Sequence, residues 1–394
     1  MTRIVQVEAI PVRLPRNLEE ATGTAGSPSV LRNGASDYRW SASVPAIYSR
    51  HFETALIKVT LDNGLTGWGE AQAPLAPQVA CAVADRLLAP MLVDTEFVPE
   101  PTHLSKTWHN LYGTMRVRGQ TGGFMLDAIS GVDLALWDLA GQMRQLSVSA
   151  LIAASAARPK VPAYLSGLPS GSFPERCRFA RDYQAQGFGC FKIFHEAAEG
   201  ELFQLLDELR DALGATAQLA VDALWRLDGS RADAFGRQLD RRHAVWLECP
   251  FMPEEAGAHA RLAEAIHTPL AAGESYRTRY EIAPVLPALR FVQPDLGRTG
   301  ITEGLRIAQL ATAGNAAVLP HVSIALGPQI AAAIHFAAAI ENAPLLEFNP
   351  SVFEVANRFL EEPLQVEDAH WQVPRTPGLG IRVKEAELRA AIRW

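Results

Sequence analysis

The sequence has few cysteines, no block of like charge and no long apolar run, and each absence argues against a class of protein. The four cysteines lie far apart and form no CxxC pair, so neither a zinc site nor a disulfide framework is expected. The net charge of −7 comes without a cluster of Lys or Arg, which argues against a general nucleic-acid or anionic-membrane surface. The most apolar stretch, 330–340, contains a histidine and is too short to span a bilayer.

The remaining composition is that of an ordinary globular protein. Apolar residues make up 48% of the 394 residues, and charged residues make up 20%. The N-terminal segment alternates apolar and polar side chains and lacks the continuous apolar core of a signal peptide. We therefore expect a cytoplasmic protein of two domains, or of one barrel with additions.

The first 125 residues predict a smaller α+β domain. Alternation of apolar and polar residues predicts strands over Ile4–Leu14 and within His51–Trp68, and helical periodicity covers Gln78–Leu92. A stretch rich in Ser, Gly, Ala and Asn occupies about 20–45. A loop of that length is uncommon unless it is functional or mobile.

From position 126 to 359, short apolar runs alternate with helical segments. A strongly periodic helix over Asp127–Met143 comes first. Eight apolar runs follow, at 161–165, 190–193, 219–221, 245–247, 270–272, 290–292, 316–319 and 345–346. Such strands are buried on both faces, as in a parallel sheet covered by helices, so we predict an α/β fold with a (β/α)8 (TIM) barrel. The segment 360–394 has no ninth unit and is expected to pack back on the N-terminal domain.

Acidic residues end three successive runs. Asp222, Glu248 and Glu274 are spaced 26 positions apart, about one strand–helix unit. Because reactive groups of such barrels lie at the carboxyl ends of the strands, we expect all three carboxylates in one mouth. A single acid there is usually a helix cap or a solvated loop residue, but three together cannot stay ionised without a cation. Oxygen ligands suit a hard ion, which indicates Mg²⁺ rather than zinc.

Four more polar residues stand in or at the end of other runs: Lys192, Asp295, His321 and Glu347. A buried lysine is costly unless it faces an anion, although Lys192 could also snorkel at the barrel edge. A lone histidine would more often be structural. With Asp295 on the adjacent strand, however, His321 would be oriented and made more basic. Glu347 adds one more acid facing the mouth.

These residues resemble the enolase superfamily, and its mandelate racemase-like group in particular, over nearly the whole chain. The resemblance implies an α+β capping domain over residues 1–125 with a mobile lid at about 20–45. It implies a modified (β/α)7β barrel over 126–359 and a C-terminal segment, 360–394, that returns to the capping domain. It also implies Mg²⁺ as cofactor, a Lys or His base with an enediolate intermediate, and assembly as a homo-oligomer.

The resemblance further implies a role for each residue at a strand end. The expected Mg²⁺ ligands are Asp222, Glu248 and Glu274, and the expected general-base dyad is Asp295 with His321. Glu347 would hydrogen-bond a carboxylate oxygen of the substrate, and Lys192, the first lysine of the family's Lys-x-Lys pair, would support that carboxylate electrostatically. The segment 297–303, GRTGITE, is similar to the family's glycine-bearing turn after the sixth strand.

Two residues depart from the family pattern. Phe194 stands where the second lysine of the pair would be, so the base on the opposite face of the substrate is missing. Cys249 stands where many relatives carry a second acid after the metal-binding glutamate. The sixth strand also offers no lysine base, which disfavours the muconate-lactonizing branch.

The missing lysine favours one reaction over another. Racemisation normally needs one base on each face, whereas dehydration needs one base for the alpha proton and an acid for the beta hydroxyl. His321 could serve as both, so we expect an acid-sugar dehydratase that forms a 2-keto-3-deoxy acid. A racemase or epimerase of a hydroxy acid remains an alternative, as does a non-catalytic relative that binds an acid or a partner protein.

Several residues keep open interpretations. His195 could supply a separate acid, although its parity on the strand points it away from Lys192. Cys249 as a nucleophile lacks a nearby histidine in the sequence. Residues that select the substrate are expected in the capping loops, and the candidates are Arg32, Tyr38, Trp40, Tyr48, Arg116 and Arg118.

Overall fold

The computed structural model describes residues 2–15, 37–41, 46–153 and 157–394. The capping domain contains a three-stranded antiparallel sheet in the order β1–β4–β5. Its strands are β1 (Ile4–Pro15), β4 (His51–Leu61) and β5 (Thr66–Ala71), and a separate hairpin is formed by β2 (Tyr38–Ser41) and β3 (Ala46–Ser49). Its helices are α1 (Gln78–Val83), a π-helical segment (Ala84–Leu88), α2 (Ala89–Leu92) and α3 (Pro101–Arg116).

The predicted lid lies largely outside the described residues. Its described part, 37–41, contains β2, so this end of the predicted loop is a strand that pairs with β3. The sequence did not indicate this hairpin, because its strands are only four residues long and show no clear alternation. The predicted helix over Gln78–Leu92 is interrupted by a π-helical segment. Pro90 follows that segment and has no N–H for a regular helical bond.

Eight parallel strands form the barrel, and their pairing runs β13–β6–β7–β8–β9–β10–β11–β12. The strands are β6 (Lys160–Ser166), β7 (Cys190–Phe194), β8 (Gln218–Asp222), β9 (Leu247–Glu248), β10 (Leu270–Ala272), β11 (Phe291–Val292), β12 (Ala317–Val318) and β13 (Leu346–Phe348). This architecture confirms the predicted barrel. Three of the strands, β9, β11 and β12, have two residues each and are shorter than the apolar runs indicated.

Helices cover the outside of the barrel. Two of them precede the first barrel strand, α4 (Gly123–Arg144) and α5 (Val148–Ile152). The others are α6 (Phe173–Gln184), α7 (Glu199–Leu213), α8 (Ala232–Arg241), α9 (Ala256–Ala265), α10 (Arg279–Ile282), α11 (Leu296–Ala313), α12 (Gly327–Ala339) and α13 (Pro350–Arg358). Helix α4 is mainly apolar and almost wholly buried, as expected for a helix enclosed between two parts of a protein. In the described part of the chain, no helix has both the length and the apolar character needed to cross a bilayer.

The C-terminal segment differs in part from the expectation that 360–394 packs on the capping domain. Its first half forms β14 (Val366–Glu367) and β15 (His370–Gln372), and β15 pairs antiparallel with the start of barrel strand β6. Trp371 anchors this hairpin, because it is buried and its indole N–H donates to the Glu347 carbonyl at 3.2 Å. The last helix, α14 (Glu385–Ala391), packs on the capping sheet through Leu388, and Val383 just before it contacts the same apolar cluster.

Candidate active site

An apolar layer fills the barrel interior, and a polar layer lies directly above it. The apolar layer consists of Tyr164, Cys190, Ala220, Trp246, Ala271, Phe291, Leu319 and Leu345. Side chains of a strand alternate between its two faces, so the residue two positions later points into the barrel again. Those residues, at the carboxyl ends of the strands, are Ser166, Lys192, Asp222, Glu248, Gly273, Gln293, His321 and Glu347. The candidate site thus lies two residues further along each strand than the apolar core of the barrel.

The three acids predicted as metal ligands come together. Oxygen atoms of Asp222, Glu248 and Glu274 all lie within 4.8 Å of one another. Burial, followed by the charge of Glu248, raises the pKa of Asp222 well above its usual range, so the cluster without a cation is electrostatically costly. The all-oxygen donor set matches the preference of hard divalent ions, and the cluster is of the kind that holds a divalent metal.

The backbone departs from regular geometry just beside each of these acids. After Asp222, both Leu224 and Trp225 have positive φ, and the Leu224 N–H donates to the Asp222 carboxylate at 2.9 Å. Cys249, directly after Glu248, has a φ of 43°. Gly273 precedes Glu274 with a φ of 153°, and a Cβ there would lie 2.5 Å from the Gln293 backbone nitrogen. Backbone strain of this kind concentrates at functional sites.

Lys192 joins the three acids predicted as metal ligands to the opposite side of the mouth. Its ammonium lies 2.6 Å from Glu248 Oε1, 2.9 Å from Glu347 Oε1 and 3.9 Å from Asp222 Oδ2, and the side chain is 1% exposed. Burial alone would lower the pKa of Lys192, but the charges of Glu248 and Glu347 raise it well above its usual range. The lysine is therefore a fixed positive charge and does not snorkel at the barrel edge.

The predicted dyad is formed. His321 Nδ1 lies 2.8 Å from Asp295 Oδ2, while His321 Nε2 lies 3.3 Å from Glu274 Oε2 and 4.0 Å from Glu347 Oε2. With Asp295 bound at Nδ1, the Nε2 atom is the one that faces the acid cluster. Burial alone would lower the pKa of His321, but the charges of Glu274 and Glu347 and the bond to Asp295 raise it to about 10.

Glu347 faces both cationic groups. Its Oε1 atom is paired with Lys192, and its Oε2 atom accepts a hydrogen bond from the Val322 N–H at 2.8 Å. Burial would raise the pKa of Glu347, but the charges of Lys192 and His321 lower it to about 2. The carboxylate is therefore ionised and sits between the lysine and the histidine.

Supporting residues that the sequence did not indicate come from a single helix, α4. Asp127 forms a bidentate salt bridge with Arg277, which lies in the segment after Glu274, through hydrogen bonds of 2.8 and 3.1 Å. Asp133 accepts hydrogen bonds from the N–H and the hydroxyl of Thr302, at 2.9 and 2.6 Å, in the segment after Asp295. Acids on a helix usually indicate a solvated face, which is why the pattern gave no signal.

Phe194 occupies the mouth one layer above Lys192, with its ring centroid 5.6 Å from the Lys192 ammonium. A cavity of about 560 Å³ adjoins it, between the ends of the first and last barrel strands and the capping domain. Its lining includes Leu14, Phe52, Ser166, Leu168, Phe194, Val355 and Phe359. This side of the mouth is therefore largely apolar where the family pattern would put a second base.

His195 points away from the mouth. Its ring lies 5.2 Å from that of Phe235 on outer helix α8, and its Nδ1 is buried without a partner among the described residues. Burial and the neighbouring arginines Arg226 and Arg231 lower the pKa of His195 to about 4. This position does not suit the separate catalytic acid that the sequence left open.

The candidate substrate-selecting residues are dispersed. Burial and the charges of Asp222, Glu196 and Glu274 raise the pKa of Tyr48. Tyr38 belongs to the same hairpin, where its hydroxyl contacts Arg13, and Trp40 on the same strand is partly exposed. Arg32 lies outside the described residues. Arg116 packs against the rings of Tyr112 and Tyr280, and Arg118 is exposed.

Two family models match the chain. The model described as Enolase C-terminal domain-like matches residues 175–387, and the Mandelate racemase / muconate lactonizing enzyme, N-terminal domain matches residues 41–153. The chain belongs to the enolase superfamily. The resemblance that the strand-end residues indicated is thereby confirmed, together with the fold that it implied.

Individual members of the superfamily resemble the whole chain. A D-galactarolactone cycloisomerase of Agrobacterium fabrum is 31% identical over 348 residues, which cover 84% of this chain and 89% of that relative. A D-galactonate dehydratase of Xanthomonas axonopodis pv. citri is 32% identical over 358 residues, which cover 85% and 90%. The crystal structure of a member of the enolase superfamily from Agrobacterium tumefaciens superposes with a TM-score of 0.92 at 29% identity and covers 100% of both chains. This member of the enolase superfamily is thus an enzyme of the dehydratase or isomerase type, as the sequence predicted.

Proposed function

We propose that this enolase-superfamily enzyme uses Mg²⁺ to remove the proton alpha to the carboxylate of an acid sugar. Loss of water from the substrate then gives a 2-keto-3-deoxy acid. The observation that carries the proposal is the direction of His321. Its Nε2 atom faces Glu274 at 3.3 Å, so the base points at the acid cluster where a carboxylate substrate would bind. The names of the two relatives, a D-galactonate dehydratase and a D-galactarolactone cycloisomerase, support an acid-sugar substrate.

In this proposal Asp222, Glu248 and Glu274 hold Mg²⁺. The bound ion would supply positive charge to the substrate carboxylate as negative charge develops on its oxygens. Lys192 supplies a second, permanent positive charge on the same side of the mouth. Glu347 is ionised in the absence of substrate, so it would have to gain a proton before it could donate a hydrogen bond to the remaining carboxylate oxygen.

In this proposal His321 transfers the protons. Asp295 holds its Nδ1–H. Bound Mg²⁺ would offset the charges of Glu274 and Glu347 that raise the pKa of His321, so that Nε2 could lose its proton and then take the alpha proton of the substrate. The resulting imidazolium then gives that proton to the departing beta hydroxyl, which leaves as water with the electron pair of its C–O bond. The enol that remains becomes the 2-keto acid by proton transfer to carbon 3. One base is sufficient for this sequence, which agrees with Phe194 on the other side of the mouth.

An isomerase is the second candidate, and the cycloisomerase relative at 31% identity favours it specifically. If the beta leaving group stays attached to the substrate, as it does in a lactone, the same single base gives an isomer and no water is lost. Racemisation has less support, because it needs a base opposite His321. Phe194 stands where the family's second lysine would be and His195 faces outward, so neither of them supplies that base.

The test is a Mg²⁺-supplemented screen of mono- and diacid sugars that includes D-galactonate and D-galactarolactone. Product detected as a keto acid by semicarbazide absorbance, with the mass of substrate minus water and loss of activity with EDTA, is the expected result. A product of unchanged mass that carries solvent deuterium would instead make the enzyme an isomerase. If no acid in the panel exchanges its alpha proton, the proposed function is wrong.

The base is tested by His321→Asn. Turnover and alpha-proton exchange should fall roughly 10²- to 10⁴-fold, the usual contribution of a general base. Mg²⁺ affinity should stay near that of the wild type, since His321 is not a ligand in this proposal. His243→Asn is the matched control, because His243 is exposed and has a φ of 53°, which asparagine tolerates. Near-normal turnover of the His321 variant would contradict the assignment.

A further inference from the structure

Glu70, a buried acid of the capping domain, accepts side-chain hydrogen bonds from two other segments. It lies near the end of β5 and is fully buried. Its Oε1 atom accepts hydrogen bonds from the Thr54 hydroxyl at 2.8 Å and from the Leu326 N–H at 2.6 Å. Its Oε2 atom accepts from the Gln329 N–H at 3.1 Å. Two of the three donors are therefore backbone amides of the barrel.

These two amides belong to the start of barrel helix α12. The first N–H groups of a helix have no partner inside the helix and are normally satisfied by the side chain of the N-cap residue. Here the N-cap residue is Leu326, whose side chain cannot accept a hydrogen bond. Glu70 supplies the missing acceptor from another domain. Burial raises the pKa of Glu70 to about 7, while the Leu326 and Gln329 N–H groups at the positive end of the helix favour its ionised form.

Gln329, in the first turn of α12, connects Glu70 to the dyad. Gln329 is fully buried, and its side-chain amide donates to Asp295 Oδ1 at 2.8 Å. The same oxygen accepts from the Gly297 N–H at 2.9 Å, while Asp295 Oδ2 is bound to His321. Gly297 leaves room for this amide, since a Cβ there would lie 2.3 Å from Gln329 Oε1. The Asp295 carboxylate is thus fixed in rotation by the residue that Glu70 holds.

A second contact from the same strand end acts on the same two segments. The Gln72 backbone N–H donates to the Gly297 carbonyl at 2.8 Å, in the turn after Asp295. The Gln72 side chain donates to the Ser323 hydroxyl at 2.5 Å, two residues after His321. The end of β5 therefore contacts the segments that follow both members of the dyad.

From this geometry we infer that Glu70 is a positioning residue, through which the capping domain sets the orientation of the general-base dyad by the chain Glu70–Gln329–Asp295–His321. Its effect on catalysis rests on the proposed function, whereas its effect on the dyad does not. A glutamine at position 70 keeps the size of the side chain but offers one acceptor oxygen for two backbone amides. The start of α12 should shift, and Gln329 should lose its fixed approach to Asp295.

The experiment compares Glu70→Gln and Gln329→Leu with Glu303→Gln as matched control. Glu303 is also fully buried and accepts a backbone N–H, that of Arg279 at 2.9 Å, but it contacts neither member of the dyad. The first readout is the downfield ¹H resonance of the His321 Nδ1 proton, identified by its loss in His321→Asn and recorded with Mg²⁺ alone. The second is the separation of kcat from KM for the acid found in the screen.

We expect Glu70→Gln and Gln329→Leu to shift or broaden this resonance and to lower kcat roughly 10- to 100-fold, as for other residues that orient reactive groups. KM and Mg²⁺ affinity should change less than about threefold, and the double variant should be no worse than the more affected single one. An unshifted resonance and normal kcat in a folded Glu70→Gln protein, or effects that multiply in the double variant, would overturn the inference. Should Glu70→Gln fail to fold, Gln329→Leu still tests the chain, and absence of turnover in the wild type would remove only the proposed function.

Discussion

The two halves of the barrel mouth are held in different ways. On the metal side, Asp222 and Glu248 end successive strands and point inward by alternation, while Glu274 follows Gly273 just after the end of β10. Glu248 is also supported from within the barrel, since the Trp246 and Gln293 side chains donate to its Oε2 atom at 3.0 and 2.7 Å. On the base side, the dyad depends on contacts from the capping domain and from α4, which lie far away in sequence.

This difference has a physical reason. A cluster of like charges is organised by whatever binds at its centre, so its own scaffold need only bring the oxygens near one another. A base must present one nitrogen in one direction, and small errors in its placement are costly to the rate. The base side therefore needs supports from several directions. Changes on the metal side should act on metal binding, and changes on the base side should act on turnover alone.

The largest effect is expected for Glu248→Gln, which changes one of the three acids of the metal side. The substitution removes one of three negative ligands and the closest partner of Lys192. Turnover should fall roughly 10³-fold or more, and Mg²⁺ binding measured by titration calorimetry should weaken strongly.

Glu254→Gln is the control for that variant, because Glu254 is an exposed acid shortly after the same strand. It should change neither turnover nor Mg²⁺ affinity. Wild-type Mg²⁺ affinity in Glu248→Gln would contradict the assignment of the cluster and, with it, the division of the mouth into two halves.

The same division separates what the sequence could predict from what it could not. The eight runs, the spacing of the acids and the adjacency of Asp295 and His321 depend on local alternation and on one fold rule, and the structure has all of them. The supports of the dyad depend on pairs such as Glu70 with Gln329 and Asp133 with Thr302, which are 259 and 169 positions apart. No periodicity connects such positions. For the same reason the pairing of β15 with β6 was not anticipated.

An intermediate effect is expected for Gly300→Ala, which changes a residue of the base side at a distance from the dyad. Gly300 interrupts α11 with φ 67° and ψ 176°, a conformation that only glycine adopts easily. A Cβ there would also lie 2.6 Å from Asp133 Oδ2, which caps the second part of the helix. The free energy of unfolding should fall by about 1–3 kcal/mol from backbone strain, with more from the contact.

Because α11 begins at Asp295, kcat of Gly300→Ala should fall as well, while Mg²⁺ affinity stays unchanged. Urea unfolding, kinetics and Mg²⁺ titration measure the three quantities. Gly113→Ala provides the control, since Gly113 lies within α3 and a Cβ there meets nothing within 4 Å. A Gly300→Ala protein that loses Mg²⁺ affinity in proportion to kcat would show that the two halves are not separable.

The smallest effect concerns pH and sharpens the comparison on the base side. His335 lies on α12, the helix that carries Gln329, and is fully buried. Its Nδ1 accepts from Ser149, with the hydroxyl at 3.1 Å, and its Nε2–H donates to the Leu379 carbonyl at 3.1 Å. Burial lowers the pKa of His335 from 6.5 to about 4, with the Leu379 bond opposing the shift.

Protonation of His335 should therefore cost stability in acid. Because its pKa is depressed in the folded state, the contribution is complete above pH 6.5 and is lost as the pH falls towards 4. At pH 5 the loss should be about 2 kcal/mol relative to pH 7.5. His335→Gln keeps a donor for Leu379 but cannot be protonated, so its free energy of unfolding in urea should change less between these pH values by that amount. His109→Gln, at an exposed position of α3, should retain the wild-type pH dependence. Equal acid sensitivity in wild type and His335→Gln would mean that α12 is not an acid-labile support, and the base side would then be no more sensitive to acid than the metal side.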